Sequence, residues 1–364
     1  MKVVVVGTRG IPGILGGVET HCEELYPRLA QRGVDVTVVR RACYVEDNNK
    51  IPEYRGVKLV DTYAPRKKSL EAFVHTFTGM FKAKSLGADI VHCHAVGPSI
   101  MVPVGRLLGM KVVMTNHGPD YNRQKWGRLA KFVIKCGECF GTRFASRVIV
   151  ISHNIQDSIS REYGRTDTHL IYNGVNIPVK SSKREYLEKW GIDGKPYIVA
   201  IGRFVKEKGF HDLIAAYQKS GLQERFNLVI AGDSDHADEY SEGLKRQARE
   251  AGVVLTGFIK GEALNELMTN AALFVIPSYH EGLPIALLEA MSYDLPILSS
   301  DIPANRLPQL SPDDFFKTGD VDELASALQR KVQDTARRSY DLSPYDWDHI
   351  ADQTLEVYKS LMRH

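Results

Sequence analysis

Short, largely apolar, mostly β-branched runs alternate with longer amphipathic stretches along this chain. Residues 3–6, 34–39, 90–92, 112–115 and 148–151 are such runs in the first half, and residues 19–31 have helical spacing. Runs this short and this apolar are what a parallel sheet buried on both faces requires. The pattern then restarts. Residues 197–201, 227–231, 253–256, 273–276 and 296–299 read as strands, with a helix over 210–219. Strand–helix alternation played twice predicts an α/β fold of two successive doubly wound units. Between them, residues 173–189 hold Gly, Pro, Ser-Ser and mixed charge with no apolar run, the composition of a linker. A last helix is predicted over 347–361, with Ile350, Leu355, Tyr358 and Leu361 apolar.

Composition narrows this picture. A chain of 364 residues, 43% hydrophobic, can bury the cores of two domains. No window approaches the roughly 18 consecutive apolar residues of a membrane span. The run at 3–6 is too short for a signal peptide, and five cysteines without regular spacing suit a reducing compartment, so a cytoplasmic location is expected. The net charge of +3 hides an asymmetry: residues 1–175 hold 25 Lys/Arg against 15 Asp/Glu, the remainder 22 against 29. The excess clusters in Arg66-Lys67-Lys68 with Lys82 and Lys84, and from Arg123 to Arg147. There Arg128, Lys131 and Lys135 share a helical face among Leu129, Phe132, Val133, Ile134 and Phe140. That pattern suits a helix lying peripherally on an anionic membrane surface. It suits equally a solvated basic face on an ordinary packed helix. No nucleic-acid-binding motif accompanies the charge, and no nucleic acid partner is expected.

Candidate chemistry concentrates where predicted strands end. Glu281 follows the strand at 273–276 in His280-Glu281-Gly282-Leu283-Pro284, and Glu289 lies about two turns into the helix that this turn opens. A helix N-terminus at a strand end favours phosphate, whereas carboxylates beside it suit sugar hydroxyls. Together they read as a nucleotide-sugar site. Arg203 and Lys208 flank the turn after the strand at 197–201, a planar fork and a point charge able to neutralise a leaving diphosphate without a metal. Alone, that pair reads more readily as surface charge. The glycine-rich segment from Gly7 to Gly17 lets backbone approach a phosphate, but without a Walker lysine it is no P-loop. Arg40-Arg41 stands where a dinucleotide site would carry an acid, which excludes ordinary NAD but suits a 2′-phosphate. His117 ends another strand, where it could hydrogen-bond a sugar. Asp120 is a candidate acceptor contact, and His92 and His94 are expected to line the floor of the site.

Five motifs in order carry a family resemblance: Gly16-Gly17-Val18-Glu19, His117-Gly118, Asn173-Gly174-Val175-Asn176, Gly202-Arg203-Phe204-Val205-Lys206-Glu207-Lys208-Gly209, and the Glu281/Glu289 pair. Together they resemble the retaining glycosyltransferases of family 4. The resemblance implies a GT-B fold, two Rossmann-like domains facing across a cleft, with the terminal helix crossing back onto the first domain. The expected domains are 1–175 plus 346–364 on the acceptor side, and 176–345 for the nucleotide-sugar donor. It further implies that Gly16 and Gly17 lie at the donor diphosphate and acceptor, and that Arg203 and Lys208 hold the diphosphate. His117 would line the donor sugar, Glu281 would bind its hydroxyls and Glu289 the ribose, with Gly282 and Leu283 beside the donor. The Gly7-Thr8-Arg9-Gly10-Ile11-Pro12-Gly13 opening resembles bacterial enzymes of surface polysaccharide assembly, some of them rhamnosyltransferases. A saccharide or lipid-linked saccharide acceptor follows from that likeness. Asn176 and Pro284 depart from the family pattern, which leaves the UDP-, GDP- or dTDP-linked donor open.

Two metal-like signals are weighed and set aside. Asp233-Ser234-Asp235 imitates an Asp-x-Asp metal motif, but it is read as a loop near the nucleotide. Cys136-Gly137-Glu138-Cys139 has zinc spacing without a second pair and is read as buried cysteines in a helix. No metal and no further cofactor are expected. The rival readings are a sugar-nucleotide epimerase on the same fold and an NADP-dependent oxidoreductase.

Overall fold

The computed structural model describes residues 1–14, 16–65, 71–119, 127–234 and 237–363. Leu15, the Arg66-Lys67-Lys68 run, Asp120, Arg123 and Asp235 lie outside them. The chain forms two compact units, Met1–Gly174 with Pro344–His364, and Val175–Ser343.

In the first unit the apolar runs form strands β1 (Lys2–Val6), β2 (Asp35–Arg41), β3 (Glu53–Tyr54), β4 (Val57–Thr62), β5 (Ile90–His94), β6 (Lys111–Asn116), β7 (Arg147–Val150) and β8 (Thr168–Leu170). Among the described residues they make one sheet of order β3-β4-β2-β1-β5-β6-β7-β8, parallel except for the β3–β4 pair. Helices α1 (Gly17–Gln31), α2 (Glu71–Ser85), α3 (Val102–Leu107), α4 (Arg128–Phe144) and α5 (His153–Tyr163) connect them. Val3–Val6 are wholly buried, as two-sided coverage demands. The short strands β3 and β4 are additional to those expected, since Pro52 and the charged residues between 53 and 61 break the apolar run that would have flagged them.

The second unit holds α6 (Glu185–Lys189), β9 (Tyr197–Ile201), α7 (Phe210–Ser220), β10 (Asn227–Ala231), α8 (Glu239–Glu250), β11 (Val254–Gly257) and α9 (Gly261–Asn270). It continues with β12 (Leu273–Ile276), α10 (Ile285–Ser292), β13 (Ile297–Ser300), β14 (Phe315–Phe316) and α11 (Val321–Lys331). Its sheet runs β11-β10-β9-β12-β13-β14, all parallel. The predicted linker ends in helix: residues 185–189 of it are α6.

The last helix, α12 (Trp347–Met362), belongs to the first unit and packs on α1. Trp347, Ile350, Ala351 and Tyr358 join Leu25, Tyr26 and Leu29 in one core, and Arg32 binds Asp352 at 2.6 Å on its rim. Asp346 caps α12 by accepting from the His349 amide at 2.8 Å.

Candidate active site

Each sheet has a point where strand order reverses, and ligands of doubly wound sheets gather beyond the strand ends there. In the second unit β9 is flanked by β10 and β12, so the loops after β9 and β12 open the crevice. The loop after β9 carries Gly202-Arg203 and a 3₁₀ turn over Lys206–Lys208. Gly209 follows with φ of 66°, and a Cβ there would stand 2.1 Å from the Pro277 carbonyl. That close approach locks the β9 loop to the β12 loop. The Tyr279 amide donates to the Glu207 carbonyl at 2.8 Å, and Ser300 Oγ donates to the Ser278 carbonyl at 2.5 Å.

This frame brings two predicted residues together. Lys208 Nζ lies 2.6 Å from Glu281 Oε1, and Ser278 Oγ donates to the same oxygen at 2.7 Å. Glu281 is thus no solvated loop acid; its side chain is 12% exposed and already paired. Ser278, which anchors it, was missed because a lone serine after a strand carries no sequence signal. Arg203 begins the β9 loop and is half-buried. The helix at this site starts at Ile285 with Pro284 as its cap residue, so Glu289 sits in the second turn, just over one turn from the start rather than two. Leu283 is buried and Gly282 half-buried in the turn before it. Asp233 is ion-paired with Lys245 at 2.9 Å.

The first unit's reversal lies between β1 and β5. Gly16, at φ of 146°, caps α1, and a Cβ on it would meet Glu19 Oε2 at 2.1 Å. Gly17 opens α1, and a Cβ added to it would meet nothing within 4 Å, so packing alone does not demand glycine there. Three of the loop's amides already have side-chain partners. Arg9 N donates to Glu19 Oε1 at 2.9 Å, Gly10 N to Thr8 Oγ1 at 3.2 Å, and Gly13 N to Glu23 Oε2 at 2.8 Å. Carboxylates and a hydroxyl thus take the amides that a P-loop would turn to its phosphates.

Arg40 and Arg41 are consumed internally. Arg40 is 1% exposed and gripped by both Asp61 oxygens at 2.6 and 3.0 Å, while Arg41 reaches Glu71 at 2.5 Å. Neither can receive a 2′-phosphate, and the NADP reading loses its cation. His92 and His94, expected to line the site, are instead wholly buried. They project to one face of β5, as alternate strand residues do. His94 Nδ1 lies 2.9 Å from His117 Nε2, and Tyr26 Oη bridges His94 Nε2 to His92 Nδ1, the latter at 3.0 Å. His21 Nδ1 bonds Asn173 at 3.0 Å, its ring 5.0 Å from that of His117. Burial lowers His21 to about 4 and His92 to about 3, and holds His94 and His117 well below the usual imidazole range. The cluster is therefore neutral. Its signal in the sequence was the His92/His94 alternation, a period of two on a buried strand.

On α4 the buried positions are Gly137, Glu138, Gly141 and Thr142, whereas Leu129 and Phe132 are 77% and 66% exposed. Small residues let the helix approach its neighbours and turn the apolar side chains outward. Cys136 and Cys139 are half-buried free thiols, not the buried cysteines expected. No helix among the described residues is long and apolar enough to cross a membrane.

Two Rossmann-like units, each built on a largely parallel sheet, are the architecture of the GT-B fold. Comparison with known proteins agrees. The Glycosyltransferase Family 4 model matches residues 15–178 and the Glycosyl transferases group 1 model residues 182–341. The chain belongs to this glycosyltransferase family. It is 27% identical over 401 residues to an uncharacterised glycosyltransferase of Methanocaldococcus jannaschii, covering 100% of this chain and 99% of that one. Its fold is similar to that of sucrose-phosphate synthase from Thermosynechococcus elongatus, with a TM-score of 0.82, 22% identity and coverage of 100% and 99%. It is similar also to Anabaena HepE in complex with UDP-glucose, with a TM-score of 0.76, 18% identity and coverage of 99% and 100%.

Proposed function

We propose that the protein transfers a sugar, with retention and without a metal, from a nucleoside-diphosphate sugar to a saccharide or lipid-linked saccharide acceptor in polysaccharide assembly. The observation that carries this reading is the Lys208–Glu281 pair at 2.6 Å, whose lysine shares the β9 loop with Arg203, at the β9/β12 reversal. A fixed cation pair meets a diphosphate, and a half-buried carboxylate accepts from sugar hydroxyls. HepE, which shares the fold, binds UDP-glucose.

Glu281 is held by Lys208 and Ser278, which blunts it as a nucleophile. The reading is therefore a front-face displacement: the leaving phosphate takes the acceptor's proton while Arg203 and Lys208 stabilise its charge. Glu289 receives the ribose, and Gly16, Gly17 and His117 contact the diphosphate, acceptor and transferred sugar. The outward Leu129, Phe132 and Phe144 of α4, with Lys131 and Arg128, support docking of the first unit on an anionic membrane surface.

The test is thermal stabilisation by UDP, GDP, dTDP, their sugar conjugates and NADP, with and without EDTA. A selective shift with one nucleoside diphosphate that EDTA leaves unchanged is expected, and a shift with NADP alone would refute the reading. Flotation with phosphatidylglycerol vesicles, lost in Phe132→Ser, tests the docking face.

A further inference from the structure

From His117 a continuous hydrogen-bonded chain of five buried side chains runs inward, and it reaches α12. After the His117–His94 and His94–Tyr26 contacts, Tyr26 meets His92 Nδ1 at 3.0 Å. That nitrogen also faces Tyr358 Oη at 2.6 Å, and His92 Nε2 faces Thr115 Oγ1 at 2.6 Å. Desolvation keeps the three imidazoles unprotonated. Each ring then has one N–H and one lone pair, so fixing one nitrogen fixes the next.

The direction follows from the choice Tyr26 makes, since its hydroxyl lies within hydrogen-bond reach of His92, His94 and Tyr358. Its contact with His94 Nε2 is closer than that with His92 Nδ1, and a hydroxyl donor makes closer contacts than a ring N–H donor. The Tyr26 hydrogen therefore goes to His94, and His94 Nε2 accepts. Its hydrogen is then on Nδ1 and is donated to His117 Nε2.

We infer that Tyr26 and His94 are positioning residues that lock His117 in its Nδ1–H tautomer, so that it meets its ligand as a hydrogen-bond donor and not as a base. That this ligand is the transferred sugar rests on the reading above; the tautomer does not. His21, His94 and His117 also place ring nitrogens within 4.8 Å of one another, the outline of a metal site. The 2.9 Å His94–His117 hydrogen bond occupies one nitrogen of each of these two rings.

The experiment is a long-range ¹H–¹⁵N correlation spectrum of the full chain labelled at histidine, with His117 assigned by loss of its signals in His117→Gln. The expected result is pyrrole-like Nδ1 and pyridine-like Nε2 for both His94 and His117 at neutral pH. A protonated His117 Nε2 in the wild type would overturn the inference whatever the protein binds, and needs no variant to fold. Tyr26→Phe is expected to move both rings towards the Nε2–H form; unchanged tautomers would remove Tyr26 from the role. One equivalent of Zn²⁺ is expected to leave these signals in place. Joint displacement of the His21, His94 and His117 signals at that ratio would make the cluster a metal site instead. Nucleotide binding, measured separately, decides the functional reading.

Discussion

The two units present contrasting electrostatics near the strand reversals of their sheets. Beyond β9 and β12 the second unit sets Arg203 and a Lys208–Glu281 ion pair, the pair lying beside a backbone lock at Gly209. On β5, just beyond β6 and on the helices α1 and α12, the first unit sets neutral imidazoles and tyrosines, held uncharged by burial. The same doubly wound frame thus supplies charge in one copy and oriented, uncharged hydrogen bonds in the other. A diphosphate has reason to bind the first kind of surface, and a sugar hydroxyl the second.

The comparison breaks most sharply at Arg203. Arg203→Ala is expected to lower transfer turnover by about 10²–10³-fold, the scale of removing one preorganised donor, with an unchanged circular dichroism spectrum. Unchanged activity would strip Arg203 of its role. Glu281→Gln sharpens the contrast differently. It leaves Lys208 without its carboxylate, costing about 1–3 kcal/mol of stability in a denaturant titration. Transfer should fall as well, while nucleoside-diphosphate affinity holds or rises because Lys208 is released to the phosphates.

In the first unit the lever is pH. The folded-state values of His21, at about 4, and His92, at about 3, lie below the ordinary 6.5. Unfolding therefore takes up protons below pH 6.5. The stability these residues contribute is complete above that pH and is lost as pH falls toward 4. Each adds a slope of roughly 1.4 kcal/mol per pH unit in that window, measurable as a falling Tm. The smallest expected effect is from EDTA, which should leave transfer unchanged; a loss restored by a divalent cation would contradict the metal-free reading.

Strand positions were largely legible because two-sided burial forces unbroken apolar runs, as at Val3–Val6 and Leu273–Ile276. The Arg203 to Glu281 set was legible only as spaced motifs; that Lys208 pairs with Glu281 depends on a backbone contact 68 residues apart in sequence, between Gly209 and Pro277. Tyr358 read as one more apolar residue on the last helix, since its hydroxyl gains meaning only when α12 lies against β5. Arg40-Arg41 misled in the other direction. A charged pair after a strand signals a ligand unless partners such as Asp61 and Glu71 fold over it, and those lie 21 and 30 residues away.

The division of labour between the units is tested most directly by calorimetric titration of the preferred nucleoside diphosphate into three variants. Arg203→Ala and Lys208→Ala are expected to bind it at least ~10-fold more weakly than the wild type, the scale of a lost charge-assisted contact, with His117→Ala within about twofold. Loss of binding in His117→Ala with full affinity in both cation variants would contradict the account.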